Sequence, residues 1–413
     1  MWGLITVLVD SLIPRLKEIF ELSYFQAGWV QFAFFIAYGL VSIPAGMLLH
    51  RIGYKKGIIL GLSVMALGCL LFIPAASFRT FALFMTGYFT LAAGMTVLQV
   101  AANPYVTVLG AKESASSRLN LSQAFNSLGT TMAPILGSIL ILSDQILKPE
   151  EIEQLEPAAK EIYYTNEASA VQMPFLYLAL ILGALAILLL AVKLPKLLNT
   201  KSQSNYGAAL KNRKLQLGTI GIFLYVGAEV AIGSYLVNYF LDMNMVEVIK
   251  ENSFMSWILS LTHADISKLD PKAIVGSFLV FYWGGAMIGR FVGAYLTKVL
   301  LPNKVLKVFS AIAVILILLT IATQGIVSMW VILAVGLMNS IMFPTIFSIA
   351  IEDLGELKPQ GSGVLCTAIA GGAFIPPLFG LFADLAGFKI AFLLIIVCYG
   401  YIYFFANKTM KLS

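Results

Sequence analysis

The sequence predicts an all-α membrane protein whose chain crosses the bilayer about twelve times, in two related sets of six helices. Of its 413 residues, 59% are hydrophobic and only 12% are charged, and the mean hydropathy is +0.89, whereas a soluble protein carries about 25% charged residues. Apolar runs of about 20 residues recur from end to end, and each is long enough to cross a hydrocarbon core of roughly 30 Å as a helix. The two halves of the chain also repeat each other weakly.

Charged or Pro/Gly-rich breaks separate the candidate spans. The first six are residues 2–14, 26–50, 57–76, 80–109, 119–143 and 171–194, and the second six are 216–241, 273–299, 305–323, 328–351, 361–385 and 388–406. Because the thirteen residues of the first stretch reach only about 20 Å as a helix, it is either a short span or the later part of a longer one. No cleavable signal peptide is evident.

The charges in the loops predict the orientation of the chain. Segment 193–214 carries six Lys/Arg and no acid, whereas segment 144–170 carries seven acids and two lysines. Because cytoplasmic loops hold the excess of Lys and Arg, we expect the central linker, the loop after the second span and both termini in the cytoplasm. Linker 196–215 then separates a six-helix bundle at 1–195 from another at 216–413. The insertion 244–270 faces the other side, and its stretch SFMSWILSL is apolar enough for a short interfacial helix or lid.

The repeat between the halves is visible in two places. GWVQFAFFIAYGLVSIPAGMLLHRIGYKK, from Gly28, aligns without gaps to GSFLVFYWGGAMIGRFVGAYLTKVLLPNK, from Gly276. The second place is a shared spacing, in which Gly129, Pro134 and Gly137 recur as Gly372, Pro377 and Gly380. A duplicated six-helix unit joined by a cytoplasmic linker is typical of transporters with a substrate site at the interface of two bundles.

Two acids lie well inside the predicted spans, Asp10 in the first and Glu229 in the seventh. A charge in the hydrocarbon region costs at least ~2.5–3.5 kcal/mol, so such residues are seldom idle. One interpretation is a carboxyl satisfied by a hydroxyl or amide of a neighbouring helix. The other, which we favour, is a cation-coupling group that binds a proton or helps several oxygens to hold Na⁺. A Na⁺ site at Asp10, with Gln99 or Asn126 nearby, is one such arrangement.

Uncharged polar side chains recur at helical spacing around these acids. The predicted substrate-binding residues are Gln99, Asn103, Gln123, Asn126, Tyr225, Glu229, Asn238, Trp283 and Asn339. Several pairs are three or four residues apart and therefore share one helix face. Amides both donate and accept hydrogen bonds, and an aromatic ring can stack on a sugar, so the set suits a neutral polyhydroxylated ligand. The alternative for each residue is an interhelical hydrogen bond, worth about 0.6 kcal/mol.

Several other classes of site are not supported. The three cysteines, Cys69, Cys366 and Cys398, fall in apolar runs and are expected to pack rather than to form disulfides or bind metal. The two histidines are far apart, so neither a zinc nor a haem site is expected. The net charge of +6 comes from short loops and does not indicate nucleic acid. No nucleophile–base set or phosphate loop is present, so we expect no enzyme and no cofactor.

The loop after the second span resembles the conserved motif of the major facilitator superfamily. The matching residues are Gly46, Arg51, Gly53, Lys55 and Lys56. His50 stands where the family usually has an acid, and the loop cations can bond the carbonyl ends of helices. The motifs VDSLIP, QVAANPYVTVLG, RLNLSQAFNSLGTT, YVGAEVAIGSYLV, FYWGGAMIGRF and NSIMFPTIFS resemble the fucose–glucose/galactose–hexuronate permease family over essentially the whole chain, and its bacterial glucose/galactose transporters in particular.

The resemblance implies cation-coupled import of a sugar across a bacterial inner membrane by alternating access. We expect the bilayer and a small sugar as partners, and a monomeric protein. Asp10 matches the family's essential aspartate, and Gln123 and Asn126 match residues that line its sugar cavity. Compared with the fucose permeases, glutamate is replaced by Gln99 and glutamine by Glu229. Glu229 is therefore expected to supply the second acid within the membrane.

We expect a symporter of glucose or galactose driven by Na⁺ or H⁺, with oxygen ligands slightly favouring Na⁺. An N-acetylglucosamine or fucose permease of the same family is the nearest alternative. A proton-coupled drug exporter is a rival within transport, although its cavity would be more apolar. A sugar sensor without transport is a rival from another class, and it would usually carry a cytoplasmic signalling domain.

Overall fold

The computed structural model describes residues 3–5, 7, 24–78, 80–140, 154–198, 205–261 and 269–412. Every regular element within these residues is helical. The helices are α1 (Tyr24–Ile52), α2 (Tyr54–Ser77), α3 (Phe81–Val108), α4 (Ala115–Leu140), α5 (Pro157–Ala191), α6 (Tyr206–Leu210), α7 (Arg213–Asp242), α8 (Met245–Glu251), α9 (Ser253–Ser260), α10 (Pro271–Gly276), α11 (Leu279–Val299), α12 (Pro302–Ala322), α13 (Gly325–Asn339), α14 (Met342–Ala350), α15 (Lys358–Thr367), α16 (Gly371–Ala386) and α17 (Phe388–Met410).

The helices agree closely with the predicted spans. Among the described residues, ten helical segments are long and apolar enough to cross a membrane. They correspond to ten of the twelve predicted spans, and the predicted span 119–143 corresponds to α4. The predicted span 2–14, which includes Asp10, lies almost wholly outside the described residues. Long apolar runs therefore identified the spans correctly wherever the structure describes them.

Three elements differ from the predicted spans. Helix α5 begins at Pro157 rather than at residue 171 and so includes part of the acidic segment that we expected to be a loop. Proline at the first helical position favours this start, since its fixed φ suits the helix and its missing N–H has no partner to lose there. The predicted span 328–351 is interrupted between α13 and α14, and 361–385 is interrupted by a 3₁₀ turn at Ala368–Ala370.

The chain divides by its internal packing into two units. Unit 1 comprises Met1–Leu109, Leu128–Asn212 and Asp353–Ala370, and unit 2 comprises Gly110–Ser127, Arg213–Glu352 and Gly371–Ser413. Two segments therefore belong to the unit formed mainly by the other half of the sequence. One is 110–127, which includes the first half of α4, and the other is 353–370, which includes α15.

The core of unit 1 is built by α2, α3 and α5. The rings of Phe72 and Phe175 stack at 4.0 Å between centroids within a cluster of buried apolar side chains. Helices α2 and α3 approach closely at glycines, because a Cβ on Gly61 would lie 2.6 Å from the backbone nitrogen of Leu98. Small residues at such contacts are how membrane helices gain van der Waals packing without a hydrophobic driving force.

The basic stretch where α1 meets α2 bonds to the carbonyl end of another helix, as its sequence predicted. Lys55 Nζ donates to the carbonyl oxygens of Leu190 and Val192, at 3.0 and 2.9 Å, so the ammonium group caps the carbonyl end of α5. His50, which stands in place of the usual acid, is buried.

The core of unit 2 is centred on α7, which packs against α14, α16 and α17. Gly371, at the start of α16, lies so close to α7 that a Cβ would collide with the carbonyl oxygen of Phe223. The three cysteines of the chain are free and buried, as their apolar surroundings predicted.

Candidate functional site

Glu229 lies midway along α7 and has an arginine as its counter-charge. Arg290, on α11, places Nη2 4.0 Å from Glu229 Oε1, and the two side chains are 14% and 15% exposed, respectively. Both residues belong to unit 2 and to membrane spans. A paired carboxylate and guanidinium avoid most of the cost of an isolated charge in this environment, while their remaining exposure leaves both groups within reach of a polar ligand.

Arg290 also fixes two further elements of unit 2. Its Nε donates to the carbonyl oxygen of Ser340 at 3.2 Å, at the interruption between α13 and α14. Its Nη1 donates to Ser127 Oγ on α4. The planar guanidinium presents donors in three directions, so this one side chain joins α4, α7 and the end of α13 around the Glu229 carboxyl.

A buried polar network lies next to this pair. Tyr225, one turn before Glu229 on α7, interacts with the carboxyl group and donates from its hydroxyl to the carbonyl oxygen of Asn339 at 3.0 Å. Asn339 Nδ2 in turn donates to Tyr282 OH at 2.7 Å. Tyr225, Tyr282 and Asn339 are no more than 1% exposed. These three residues therefore form a buried layer next to the ion pair and are not exposed themselves.

Two atoms of the network have no hydrogen-bond partner among the described residues, Asn339 Oδ1 and Tyr399 OH. The two side chains, on α13 and α17, are close enough to interact with each other. An acceptor and a donor that are both buried and unsatisfied mark a place where a water molecule or a small shift would complete the network.

Trp283, on α11, packs against the part of α7 that follows Glu229. Its indole packs over Gly233, where a Cβ would lie 2.9 Å from the ring, and Gly233 is one helical turn after Glu229. The ring remains 42% exposed. Trp283 and Arg290 are seven residues apart on α11, so they point to the same side of that helix. An exposed indole and a half-buried ion pair are thus presented together.

The first half of α4 lies along α11 within the same unit. Ser117 Oγ donates to the carbonyl oxygen of Ala294 at 2.6 Å, and the rings of Phe125 and Phe291 meet edge to face at 6.0 Å. Gln123, four residues before Ser127 and on the same face, is buried, and Asn126 is half-buried. The amides predicted on this helix therefore lie on the turns next to the serine that binds Arg290.

The remaining predicted residues that the structure describes have other surroundings. Gln99 and Asn103 belong to unit 1, where Gln99 Nε2 donates to Tyr38 OH at 2.8 Å and Asn103 is buried. Asn238 is exposed and lies about 13 Å further along α7 than Glu229. Asp10 lies outside the described residues.

Arg290 was not predicted, because only the acids within the spans were singled out. The cost of a charge in the hydrocarbon region also applies to a basic residue inside the apolar run FYWGGAMIGRFVGAY, so the sequence does contain a signal for Arg290. Ser127, Tyr282 and Tyr399 give no comparable signal, since hydroxyl groups are common in membrane helices. In the described part of the chain, no three His, Cys, Asp or Glu side chains form a group that could hold a metal.

The chain is similar to known proteins over nearly its whole length. The family model described as the Major Facilitator Superfamily matches residues 3–377. A relative from Brucella abortus, named as a glucose/galactose transporter, is 48% identical over 408 residues, which cover 98% of this chain and 90% of the relative. The L-fucose-proton symporter of Escherichia coli K12 is 33% identical, again over 98% of this chain and 90% of the symporter.

A solved structure of the E. coli symporter in its outward conformation superimposes with a TM-score of 0.86 at 32% identity, covering 99% of this chain and 95% of that structure. The predicted fold class, an all-α major facilitator fold, is thereby confirmed. As a transporter of this kind, the protein is not an enzyme and needs no cofactor. The chain belongs to the Major Facilitator Superfamily, and within it to the fucose–glucose/galactose–hexuronate permease family.

Proposed function

We propose that this protein is a secondary active symporter that imports a neutral hexose, glucose or galactose, with a cation across the bacterial inner membrane by alternating access. The observation that carries the proposal is the half-buried Glu229–Arg290 pair, surrounded by amides, phenols and an exposed indole inside membrane spans. Support comes from the relative named as a glucose/galactose transporter. An N-acetylglucosamine or fucose permease remains the alternative.

In the proposed site, Glu229 accepts hydrogen bonds from sugar hydroxyls and Arg290 donates to them. Charge-assisted hydrogen bonds of this kind are about twice as strong as neutral ones. Trp283 stacks on the apolar face of the sugar, since its exposed ring stands on the same side of α11 as Arg290. Gln123 and Asn126 complete the site, and Gln99, Asn103 and Asn238 are proposed to contact the sugar at other steps of the cycle.

We assign cation coupling to Asp10 and Glu229, and we propose different roles for the two acids from the surroundings of Glu229. The guanidinium of Arg290 stands 4.0 Å from Glu229 and would repel a second cation there, since like charges at this distance oppose each other by several kcal/mol at an effective dielectric constant of about 20. Asp10 is therefore the preferred site for Na⁺ or H⁺, with Gln99 or Asn126 as further oxygen ligands for Na⁺, and Glu229 is preferred for the sugar.

The transport cycle follows from reciprocal coupling. The cation raises the affinity for the sugar, and the sugar must raise the affinity for the cation by the same factor. Joint occupancy then permits closure and release on the other side. We propose that the moving bundles are residues 1–195 and 216–413, joined by the linker 196–215, with both termini in the cytoplasm.

The test is uptake of labelled glucose into proteoliposomes under an inward Na⁺ gradient and, separately, an inward H⁺ gradient. We expect one gradient to accelerate uptake and unlabelled galactose to compete. N-acetylglucosamine and fucose enter the same competition panel, so a better competitor would identify the alternative substrate. If neither gradient drives uptake of any of these sugars, the symport proposal is wrong.

The role of Glu229 is tested by Glu229→Gln, with Glu247→Gln as the matched control. Glu247 lies on α8, pairs with Lys250 at 3.8 Å and is 74% exposed, so the same chemical change there leaves the cluster intact. We expect the control to transport normally and Glu229→Gln to raise the sugar concentration needed for half-maximal uptake by at least tenfold. Unchanged sugar affinity together with a lost ion dependence would instead assign Glu229 to the cation.

A further inference from the structure

The short helix α9 carries an exposed apolar face that nothing in the transport site requires. Phe254, Trp257 and Leu261 are 59%, 56% and 65% exposed, and the first two rings stack at 6.1 Å. The helix begins at Asn252, whose side chain accepts from the backbone N–H of Met255 at 3.1 Å. The segment is therefore a capped helix with large apolar groups on its outside.

Three kinds of side chain divide the circumference of α9 into three sectors. At 100° per residue, Phe254, Trp257 and Leu261 fall within roughly 60° of one another. The buried side chains of α9, Met255 and Leu259, occupy a second sector. Its three serines occupy a third, of which Ser253 and Ser260 are exposed and Ser256 is half-buried. The helix thus has a buried apolar sector, an exposed apolar sector and a polar sector.

The buried sector holds α9 in place. Met255 and Leu259 are 1% and 0% exposed, and α9 packs on α8, which itself packs on α7, α10 and α13. The segment that contains α8 and α9 connects two membrane spans, because α7 ends at Asp242 and the next span begins at Pro271. Helix α9 is therefore attached through α8 to spanning helices near their ends, where the bilayer surface is expected.

We propose that α9 lies in the headgroup region of the bilayer, with Phe254, Trp257 and Leu261 inserted among the lipids and the serines turned to water. Tryptophan is enriched at this depth because its ring is apolar while its N–H bonds to water or headgroups. By the proposed orientation of the termini, the leaflet is the one opposite the cytoplasm.

The contact requires no anionic lipid. Residues 252–261 carry no charged side chain, whereas interfacial helices that depend on anionic lipids present Lys or Arg on their polar face. Insertion of α9 is therefore the same in zwitterionic phosphatidylcholine and in anionic phosphatidylglycerol vesicles. This independence from lipid charge separates α9 from an electrostatically bound helix.

The experiment places a nitroxide spin label at Trp257→Cys or, as the matched control three residues away in the serine sector, at Ser260→Cys. The protein is reconstituted in phosphatidylcholine vesicles and, separately, in phosphatidylglycerol vesicles. Relaxation is measured with oxygen, which concentrates in lipid, and with a water-soluble nickel chelate. The unsubstituted chain corrects for any label on its three cysteines, all of which are buried. We expect oxygen to dominate at position 257 and nickel to dominate at position 260, at least threefold in each case.

Two results would overturn the proposal. Equal access of the nickel chelate at both positions would mean that α9 lies in water, and exclusion of both reagents at position 257 would mean that protein, such as a second copy of the chain, covers the face. Leu261→Cys reports on the same sector if labelling at Trp257→Cys disturbs folding. A lipid contact that appears only with phosphatidylglycerol would also contradict the inference. The readout needs no sugar, so it is independent of the proposed function.

Discussion

Removing the charge of Arg290 is expected to destabilise unit 2, and the loss should be recovered by removing its partner as well. Two unit charges 4.0 Å apart, as Arg290 and Glu229 are, attract by about 4 kcal/mol at an effective dielectric constant of about 20. Breaking a buried pair by deleting one partner costs about 3–5 kcal/mol, because the other charge is left uncompensated. We therefore expect Arg290→Gln to lower the free energy of unfolding by about 3 kcal/mol.

The double variant Glu229→Gln/Arg290→Gln has no lone charge and is expected to be more stable than Arg290→Gln. The coupling energy of the double-mutant cycle should lie at about 1–3 kcal/mol, the range seen for residues in direct contact. The assay is equilibrium unfolding of the purified protein in mixed micelles, followed by circular dichroism without sugar.

The matched control is Lys250→Gln. The pair of Lys250 and Glu247 has nearly the same length, 3.8 Å, but is 38% and 74% exposed, so we expect a change within about 0.5 kcal/mol. If the double variant is as unstable as the sum of the two single variants, Glu229 and Arg290 are not coupled and the reasoning is refuted. Sugar uptake by the double variant tests whether the pair also binds the sugar. If the pair is purely structural, transport returns in the double variant; if it binds the sugar, transport stays impaired.

Three further predictions concern other parts of the fold and use the same unfolding assay. Lys112 and Lys214 lie 3.5 and 3.4 Å from Glu352 but are 57% and 7% exposed, so Lys214→Met should cost about 1–3 kcal/mol more than Lys112→Met; equal losses would contradict the role given to burial. Gly371→Ala should lower the free energy of unfolding by about 1–3 kcal/mol, because the added Cβ meets the carbonyl oxygen of Phe223. Gly400 has open space around it, so Gly400→Ala should be neutral or stabilising. Burial raises the pKa of Tyr206 from 10.0 to about 12. Because the Tyr206 hydroxyl ionises at lower pH in the unfolded state, the free energy of unfolding falls from about pH 10 to about 12. Tyr206→Phe has no ionisable hydroxyl and lacks the bond to the carbonyl oxygen of Ile43 at 2.8 Å, so it should remove this part of the pH dependence.

The spans could be located from the sequence because every spanning helix needs about 20 mostly apolar residues to cross the hydrocarbon core. Prediction failed at places where apolar runs were taken as unbroken helices. The run 328–351 is mostly apolar but contains Asn339, Ser340 and Pro344, and it is interrupted at Ser340. Because Pro344 has no N–H to donate one turn back, the Ser340 carbonyl accepts instead from Arg290. The start of α5 was missed because its acidic first part is not apolar, although it is helical.

For the site, the cost of a buried charge was enough to single out Glu229 but not to name its partner. Arg290 lies 61 residues further along the chain (290 minus 229), and nothing in the spacing along one helix indicates which neighbouring helix supplies the counter-charge. Tyr225 was predicted from its position one turn before Glu229 and lies beside that carboxyl. Asn339, also predicted as a ligand residue, is completely buried and hydrogen-bonds with Tyr225 and Tyr282.

The exchange of segments between the two units has a consequence for the order in which the chain folds. Unit 1 includes Asp353–Ala370, and unit 2 includes Gly110–Ser127. Unit 1 cannot complete its packing when its own half of the chain leaves the ribosome, because it waits for residue 370. Unit 2 needs a segment that is synthesised earlier, which is therefore without its final partners until the second half emerges. Such long sequence separations slow folding and leave apolar surface incompletely packed meanwhile. The membrane must therefore receive most of the chain before either unit reaches its final packing.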